Sequence, residues 1–237
     1  MTAAILAGGL GTRLRSVVRD RPKVMAEIHG RPFLSYLLDQ LSLAGFRAVV
    51  LCTGYLGEQI AQRFGHCYGD MRLVYSREPQ PLGTAGALRL ALPQLASDPV
   101  FVMNGDSYCH ADFGAFGRWY GERGCQAAML LTQVGDSSRY GSVKLAGDGS
   151  VVEFGEKLAT VHSNWINAGI YLLSLAVVSS VPVVRSVSLE YDVFPRMVGQ
   201  GLSGYLSEGQ FLDIGTPEDF AKAKSFLAPL GKSSSNG

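Results

Sequence analysis

The sequence predicts an α/β fold: a doubly wound, mostly parallel sheet followed by a smaller, strand-rich portion. Three observations predict it. Continuous apolar runs at 3–7, 48–53 and 99–103 read as buried strands, with segments of helical period between them. Gly8, Gly9 and Gly11 follow the first run at once, as a tight loop at the carboxyl end of a strand requires. Beyond residue 133 the texture changes to short runs separated by Gly and Ser. The βαβα rhythm implies right-handed crossovers, and so a Rossmann-like layering whose ligands sit beyond the carboxyl ends of the strands.

After the glycine loop, Phe33, Leu34, Leu37, Leu38 and Leu41 recur at helical spacing. Pro32 suits the first turn of that helix and Gly45 its C-terminal cap. Strand 48–53, helix 58–64, strand 72–75, helix 85–92 and strand 99–103 follow, the last running into Asn104-Gly105-Asp106. The second half predicts helix 112–122, strand 126–133, strands 142–145 and 151–154 joined by the Gly147-Asp148-Gly149 turn, and strand 168–173. Helix 189–198, strands 204–206 and 211–214 and a closing helix 217–227 complete the chain. Thr216 is read as the N-cap of that last helix, Pro217 as its first residue, and Glu218 and Asp219 as complements to its dipole.

The chain has 237 residues, long enough for one sizeable domain, with 47% hydrophobic and 17% charged residues. A formal net charge of +1 gives no electrostatic case for nucleic acid or an anionic membrane. No apolar run is long enough to span a bilayer, and no basic segment precedes the first strand, so a cytoplasmic protein is expected. Cys52, Cys67, Cys109 and Cys125 form no C-x-x-C pair and read as reduced thiols in or near the core. Cys109-His110 lacks the ligand spacing of a zinc site.

The glycine loop fits neither of the common phosphate fingerprints. No Gly-Lys-Ser/Thr closes a Walker A pattern, and Leu14 stands where a dinucleotide fingerprint needs a small residue. Yet Thr12, Arg13 and, after Pro22, Lys23 add a hydroxyl and two cations to apolar flanks. A simple turn has no use for these, and a polyphosphate does. Asp106 and Asp213 each close a strand, far apart in sequence, and as hard oxygen donors could meet across one magnesium ion. Each, taken alone, also suits a turn or cap.

Leu6-Ala7-Gly8-Gly9-Leu10-Gly11-Thr12-Arg13-Leu14 with Pro22-Lys23 resembles the signature of the sugar-1-phosphate nucleotidyltransferases, the nucleotide-sugar pyrophosphorylases. The resemblance continues in order through Pro81-Leu82-Gly83-Thr84-Ala85-Gly86, Asn104-Gly105-Asp106, Tyr140-Gly141, Glu156-Lys157, Asn167-Ala168-Gly169 and Leu212-Asp213-Ile214-Gly215-Thr216. It implies an enzyme that joins a sugar 1-phosphate to the α-phosphorus of a nucleoside triphosphate and expels pyrophosphate. It implies a single domain over 1–228, with a nucleotide-binding half near 1–110, a sugar-binding half near 111–228 and a flexible tail at 229–237.

By the same resemblance Leu6, Ala7, Gly8, Gly9, Gly11, Thr12, Arg13, Lys23, Glu78, Gly83, Thr84 and Asp106 would bind the nucleotide, with Arg13 and Lys23 as the catalytic cations. Gly141, Glu156, Lys157 and Asn167 would hold the sugar phosphate, and Asp106 and Asp213 would hold Mg2+. Glu78 precedes the Leu82-Gly83-Thr84 turn, and an acceptor-only carboxylate there suits the donor edge of guanine. Pro32-Phe33-Leu34 with Tyr36-Leu37-Leu38 makes the chain most similar to D-glycero-α-D-manno-heptose 1-phosphate guanylyltransferases. Two departures stand out: Arg13-Leu14-Arg15-Ser16 replaces the usual R-L-x-P, and Leu158 stands where the family often has proline. A hexose or N-acetylmuramate 1-phosphate uridylyl-, thymidylyl- or cytidylyltransferase is the enzymatic alternative. An inactive nucleotide-sugar-binding regulatory subunit is the other. The sequence leaves the oligomeric state open, a homo-oligomer included.

Overall fold

The structure is a computed structural model that describes residues 1–9, 11–14, 20–135, 137, 139–156, 163–183 and 185–228, with Thr12 and Glu156 described by backbone alone. Its first half comprises β1 (Ala3–Ala7), β2 (Glu27–Ile28), β3 (Arg31–Pro32), α1 (Phe33–Leu43), β4 (Ala48–Thr53), α2 (Gly57–Phe64), β5 (Cys67–Tyr68), β6 (Met71–Arg77), α3 (Gly83–Ala91) and β7 (Val100–Asn104). Then come β8 (Ser107–Cys109), α4 (Phe113–Arg123), β9 (Ala127–Gln133), β10 (Gly141–Leu145), β11 (Val151–Glu156) and β12 (Trp165–Leu173). The chain closes with α5 (Leu175–Ser180), α6 (Phe194–Met197), β13 (Leu202–Leu206), β14 (Phe211–Asp213) and α7 (Pro217–Leu227).

A 10-stranded sheet organises the molecule. Its centre is parallel: β1 pairs with β4 and with β7, and β4 pairs with β6. Alternate residues of these strands face opposite layers, and both layers are apolar. Ala3, Ile5, Val49, Leu51, Phe101 and Met103 pack with Leu34, Leu37, Leu38 and Leu41 of α1. Ala4, Val50, Cys52, Val100 and Val102 pack with Ala85, Leu88 and Ala91 of α3. Burial on both faces is why these strands read as unbroken apolar runs. The carboxyl ends of the parallel strands come to one edge, as a doubly wound sheet requires.

The second half extends the same sheet with mostly antiparallel pairing. β12 lies against β7 and β9, β10 and β11 form a hairpin, and β13 adds in parallel to β9. The predicted turn at Asp148-Gly149 joins that hairpin, with Gly149 at φ 85°. In α7, Thr216 accepts from the Asp219 amide and Pro217 is the first residue, as expected.

Several local expectations differ. Pro32 precedes α1 as its N-cap rather than entering the first turn, because it pairs with Glu27 in the short β2–β3 ribbon. Helix α5, capped by Ser174, is only six residues long, too short to show a helical period. The segment 189–198 splits into a π turn, Leu189–Val193, and the short α6. β12 begins at Trp165, three residues before its apolar run, since its amino-terminal half pairs with β9 through Trp165, Ile166 and Asn167. Cys52 and Cys109 are buried and Cys125 is half-buried, but Cys67 is exposed; all four are free thiols. Among the described residues no helix is long and apolar enough to cross a membrane.

Candidate active site

At the carboxyl edge of β1, β4, β6 and β7 lies a cleft of about 340 Å3. β1 ends at Ala7, and Gly8, Gly9 and Gly11 carry the chain across its floor. Gly11 adopts φ 58°, a left-handed conformation that suits glycine. Gly8 is fixed by close approach: a Cβ there would stand 2.5 Å from Glu78 Oε1. At the far wall Gly83 adopts φ 73°, and a Cβ on it would meet the Val187 carbonyl oxygen at 2.5 Å. Of the residues expected to bind a nucleotide, Leu6, Ala7, Gly8, Gly9, Gly11, Arg13, Lys23, Glu78, Gly83, Thr84 and Asp106 all line this cleft. Thr12, the remaining one, lies outside the described side chains.

The charged centre forms where two sequence-distant strands meet. β8 and β14 pair so that Asp213 lies opposite Ser107, and the Ile214 amide donates to the Asp106 carbonyl at 2.9 Å. Gly105 lets β7 close on β1, since a Cβ there would stand 2.7 Å from the Leu6 carbonyl oxygen. Lys23, placed by a 3-10 turn after Pro22, sets its ammonium 2.8 Å from Asp106 Oδ2 and 3.9 Å from Asp213 Oδ1. Lys23 is 11% exposed, Asp213 24% and Asp106 44%. One ammonium between two carboxylates leaves that trio with one net negative charge, and the Arg13 guanidinium acts on both carboxylates; Asp106 lines the cleft, whereas Asp213 is not among its lining residues.

The electrostatics follow from that crowding. Desolvation works against the Asp106 carboxylate, but the Lys23 ammonium, a backbone N–H and the Arg13 charge together outweigh it and hold the pKa below the usual carboxylate value. Desolvation and the negative charge of Asp106 push Asp213 up. Glu78 is also raised by desolvation, despite the Leu82 N–H that donates to its Oε2 at 3.0 Å. Among the described residues no group of three or more His, Cys, Asp and Glu could hold a metal ion. Two carboxylates alone suit a magnesium ion, which takes its other ligands from phosphates and water.

The sugar-side residues are placed differently. Gly141 starts β10 opposite Glu156 of β11, and Asn167 lies on β12; neither lines the cleft. Lys157 lies outside the described residues, as does the Glu156 side chain. β12 is irregular between Asn167 and Tyr171, where Gly169 at φ 73° brings its backbone against Asn104 and Ser107.

Sequence reasoning assigned no role to Val24, Cys52, Pro81, Ala87, Asn104 or Gly215, which complete the cleft lining. Pro81, Asn104 and Gly215 carried a usable signal, their places in Pro81-Leu82-Gly83-Thr84-Ala85-Gly86, Asn104-Gly105-Asp106 and Leu212-Asp213-Ile214-Gly215-Thr216; for Asn104 the structure adds a second. Its Oδ1 is buried without a hydrogen-bond partner among the described residues.

The chain matches the family described as nucleotidyl transferase over residues 2–229. It is 35% identical to the D-glycero-alpha-D-manno-heptose 1-phosphate guanylyltransferase of Aneurinibacillus thermoaerophilus, covering 96% of this chain and 98% of that protein. It is 34% identical to a mannose-1-phosphate guanylyltransferase of Mycobacterium tuberculosis over 95% of this chain, but spans 64% of that relative's length. The crystal structure of HddC from Yersinia pseudotuberculosis in complex with GMP-PN superposes with a TM-score of 0.82 at 32% identity, covering 95% of this chain and 99% of that one.

Proposed function

The chain belongs to the nucleotidyl transferase family, and from that premise we propose that it transfers GMP from GTP to a sugar 1-phosphate, D-glycero-α-D-manno-heptose 1-phosphate foremost, with release of pyrophosphate. The observation that carries the reading is the meeting of Asp106 and Asp213 on Lys23, with Lys23 and Asp106 lining the cleft beside the glycine loop.

A phosphate oxygen of the sugar 1-phosphate attacks the α-phosphorus, a new P–O bond forms, and the bond from that phosphorus to the bridging oxygen breaks. The electron pair leaves with pyrophosphate. The nucleophile is already an anion, so the site needs no strong base; it must bring anions together and stabilise charge on the leaving group. The glycine-loop amides and Arg13 would cradle the departing phosphates. Lys23, already engaged with both carboxylates, would neutralise the α-phosphate as the second anion approaches. Asp106 and Asp213 would hold the magnesium ion, which when bound supplies charge neutralisation to the triphosphate. Glu78 would accept from the donor edge of guanine, which offers two donors where uracil or thymine offers one.

The 34% identity to a mannose-1-phosphate guanylyltransferase favours mannose 1-phosphate as the second sugar to test. Pyrophosphate release measured for ATP, CTP, GTP, UTP and dTTP against heptose, mannose, glucose and N-acetylmuramate 1-phosphates tests the whole reading. GTP with the heptose substrate is expected to be fastest. Equal rates for GTP and dTTP would remove the Glu78 argument, and no turnover with any pair would leave the regulatory-subunit reading.

A further inference from the structure

We propose that Glu190 is a positioning residue that locks the nucleotide turn and the sugar-side strand into one geometry. Its identification of what the two sides bind rests on the guanylyl-transfer reading above. Glu190 does not line the cleft; it acts through residues that do or that lie beside it. Its carboxylate takes three hydroxyl groups from three parts of the fold. Thr84 Oγ1 donates to Oε2 at 2.7 Å, Ser188 Oγ donates to the same oxygen at 2.8 Å, and the Tyr171 hydroxyl donates to Oε1 at 3.2 Å.

The direction of each proton is set by what the hydroxyl already accepts. Thr84 Oγ1 accepts the Leu189 N–H at 2.7 Å. Ser188 Oγ accepts the N–H groups of Glu190 and Tyr191 at 3.1 and 3.2 Å. The Tyr171 hydroxyl accepts from Asn167 Nδ2 at 2.8 Å, while Asn167 Oδ1 accepts the Gly169 N–H at 2.9 Å. Three donors aimed at one side chain need a group that only accepts, and an ionised carboxylate is the side chain with that property.

The two arms end at functional places. Thr84 follows Gly83 in the wall of the nucleotide cleft, and Asn167 is the expected sugar contact. The main chain around Glu190 adds rigidity, since the Val187 carbonyl accepts from Ala85 and Gly86 and its N–H donates to Leu82. Glu190 itself sits in a π turn, a local irregularity that aims the carboxylate between the two halves. Displacing it would release both the base-side turn and the Tyr171–Asn167 arm.

The test is Glu190→Gln, which keeps shape but turns one acceptor into a donor. Melting temperature, equilibrium binding of GTP, and KM for GTP and for D-mannose 1-phosphate are measured beside the unaltered protein. Positioning predicts that both KM values rise about tenfold, the size expected for losing a charge-assisted hydrogen bond on each arm. A purely structural role predicts a lower melting temperature with both KM values unchanged, and that result, or a rise confined to one substrate, overturns the proposal. If Glu190→Gln does not fold, Thr84→Val and Tyr171→Phe each remove one arm. Each is expected to weaken both substrates through the shared carboxylate, and effects confined to each variant's own side overturn the coupling. Should the unaltered protein release no pyrophosphate, the guanylyl-transfer reading fails. Dissociation constants for GTP and for mannose 1-phosphate then still decide the role of Glu190.

Discussion

The residues expected to bind the nucleotide stand at strand ends and short glycine turns and line the cleft, whereas Asn167, the expected sugar contact, stands outside the lining on a bulged strand and is held by side chains from elsewhere. Gly8, Gly9, Gly11 and Gly83 present backbone to the cleft, and Lys23 and Asp106 follow directly from strands or turns beside them. Asn167 instead owes its orientation to Tyr171 and Gly169, on an irregular stretch of β12. Backbone machinery needs particular residue types at fixed offsets. Machinery built of interlocking side chains needs only compatible partners, wherever the fold supplies them.

The largest effect that would sharpen this contrast is at Lys23. Lys23→Ala is expected to lower kcat/KM about 10²- to 10³-fold by removing a preorganised cation from the transferring phosphate. It also leaves Asp106 and Asp213 facing each other unneutralised. Steady-state kinetics with GTP checks it; a loss below tenfold would break the claim that the nucleotide side carries the chemistry.

Glu78 comes next. Glu78→Gln is expected to cost about tenfold in kcat/KM for GTP, the scale of one base-edge contact, with far less change for UTP. The sign of its pH dependence follows from its raised pKa. The ionised form accepts from guanine, so GTP turnover strengthens as pH rises through the Glu78 pKa and weakens below it. That acid limb lies above the ordinary carboxylate range, and the Gln variant should lack it. A wild-type pH profile in the variant would contradict the assignment.

Asn167→Ala is the smallest of these, expected to raise KM for the sugar 1-phosphate about fivefold, as for one neutral hydrogen bond, while KM for GTP stays within twofold. A shift in the GTP value instead would show that the two sides are not separable at this residue.

The same contrast explains what was legible in the sequence. Parallel strands buried on both faces leave uninterrupted apolar runs, so β1, β4 and β7 were recognisable from residue type alone. The glycine loop and Lys23 were recognisable because the phosphate binding proposed for them calls for particular residue types at close offsets. Asp213 was visible as a strand-end carboxylate, but its meeting with Asp106 depends on the β8–β14 pairing, and β8 is only three residues long. Gly54 packs against Glu78, and a Cβ there would stand 2.6 Å from Oε1, yet no spacing rule ties it to the loop. Glu190 was hidden for the same reason: its partners Thr84 and Tyr171 lie 106 and 19 residues away in sequence. The expected helix there is a π turn, which periodicity reads as ordinary helix.

The most direct measurement is pyrophosphate release from GTP and the sugar 1-phosphate as magnesium is titrated, for the unaltered protein and for Asp106→Asn and Asp213→Asn. Turnover should require the metal and fall about 10²-fold in Asp106→Asn, with Asp213→Asn demanding higher magnesium. Full activity without divalent metal, or an unchanged magnesium dependence in both variants, would contradict a shared metal triphosphate site at the glycine loop.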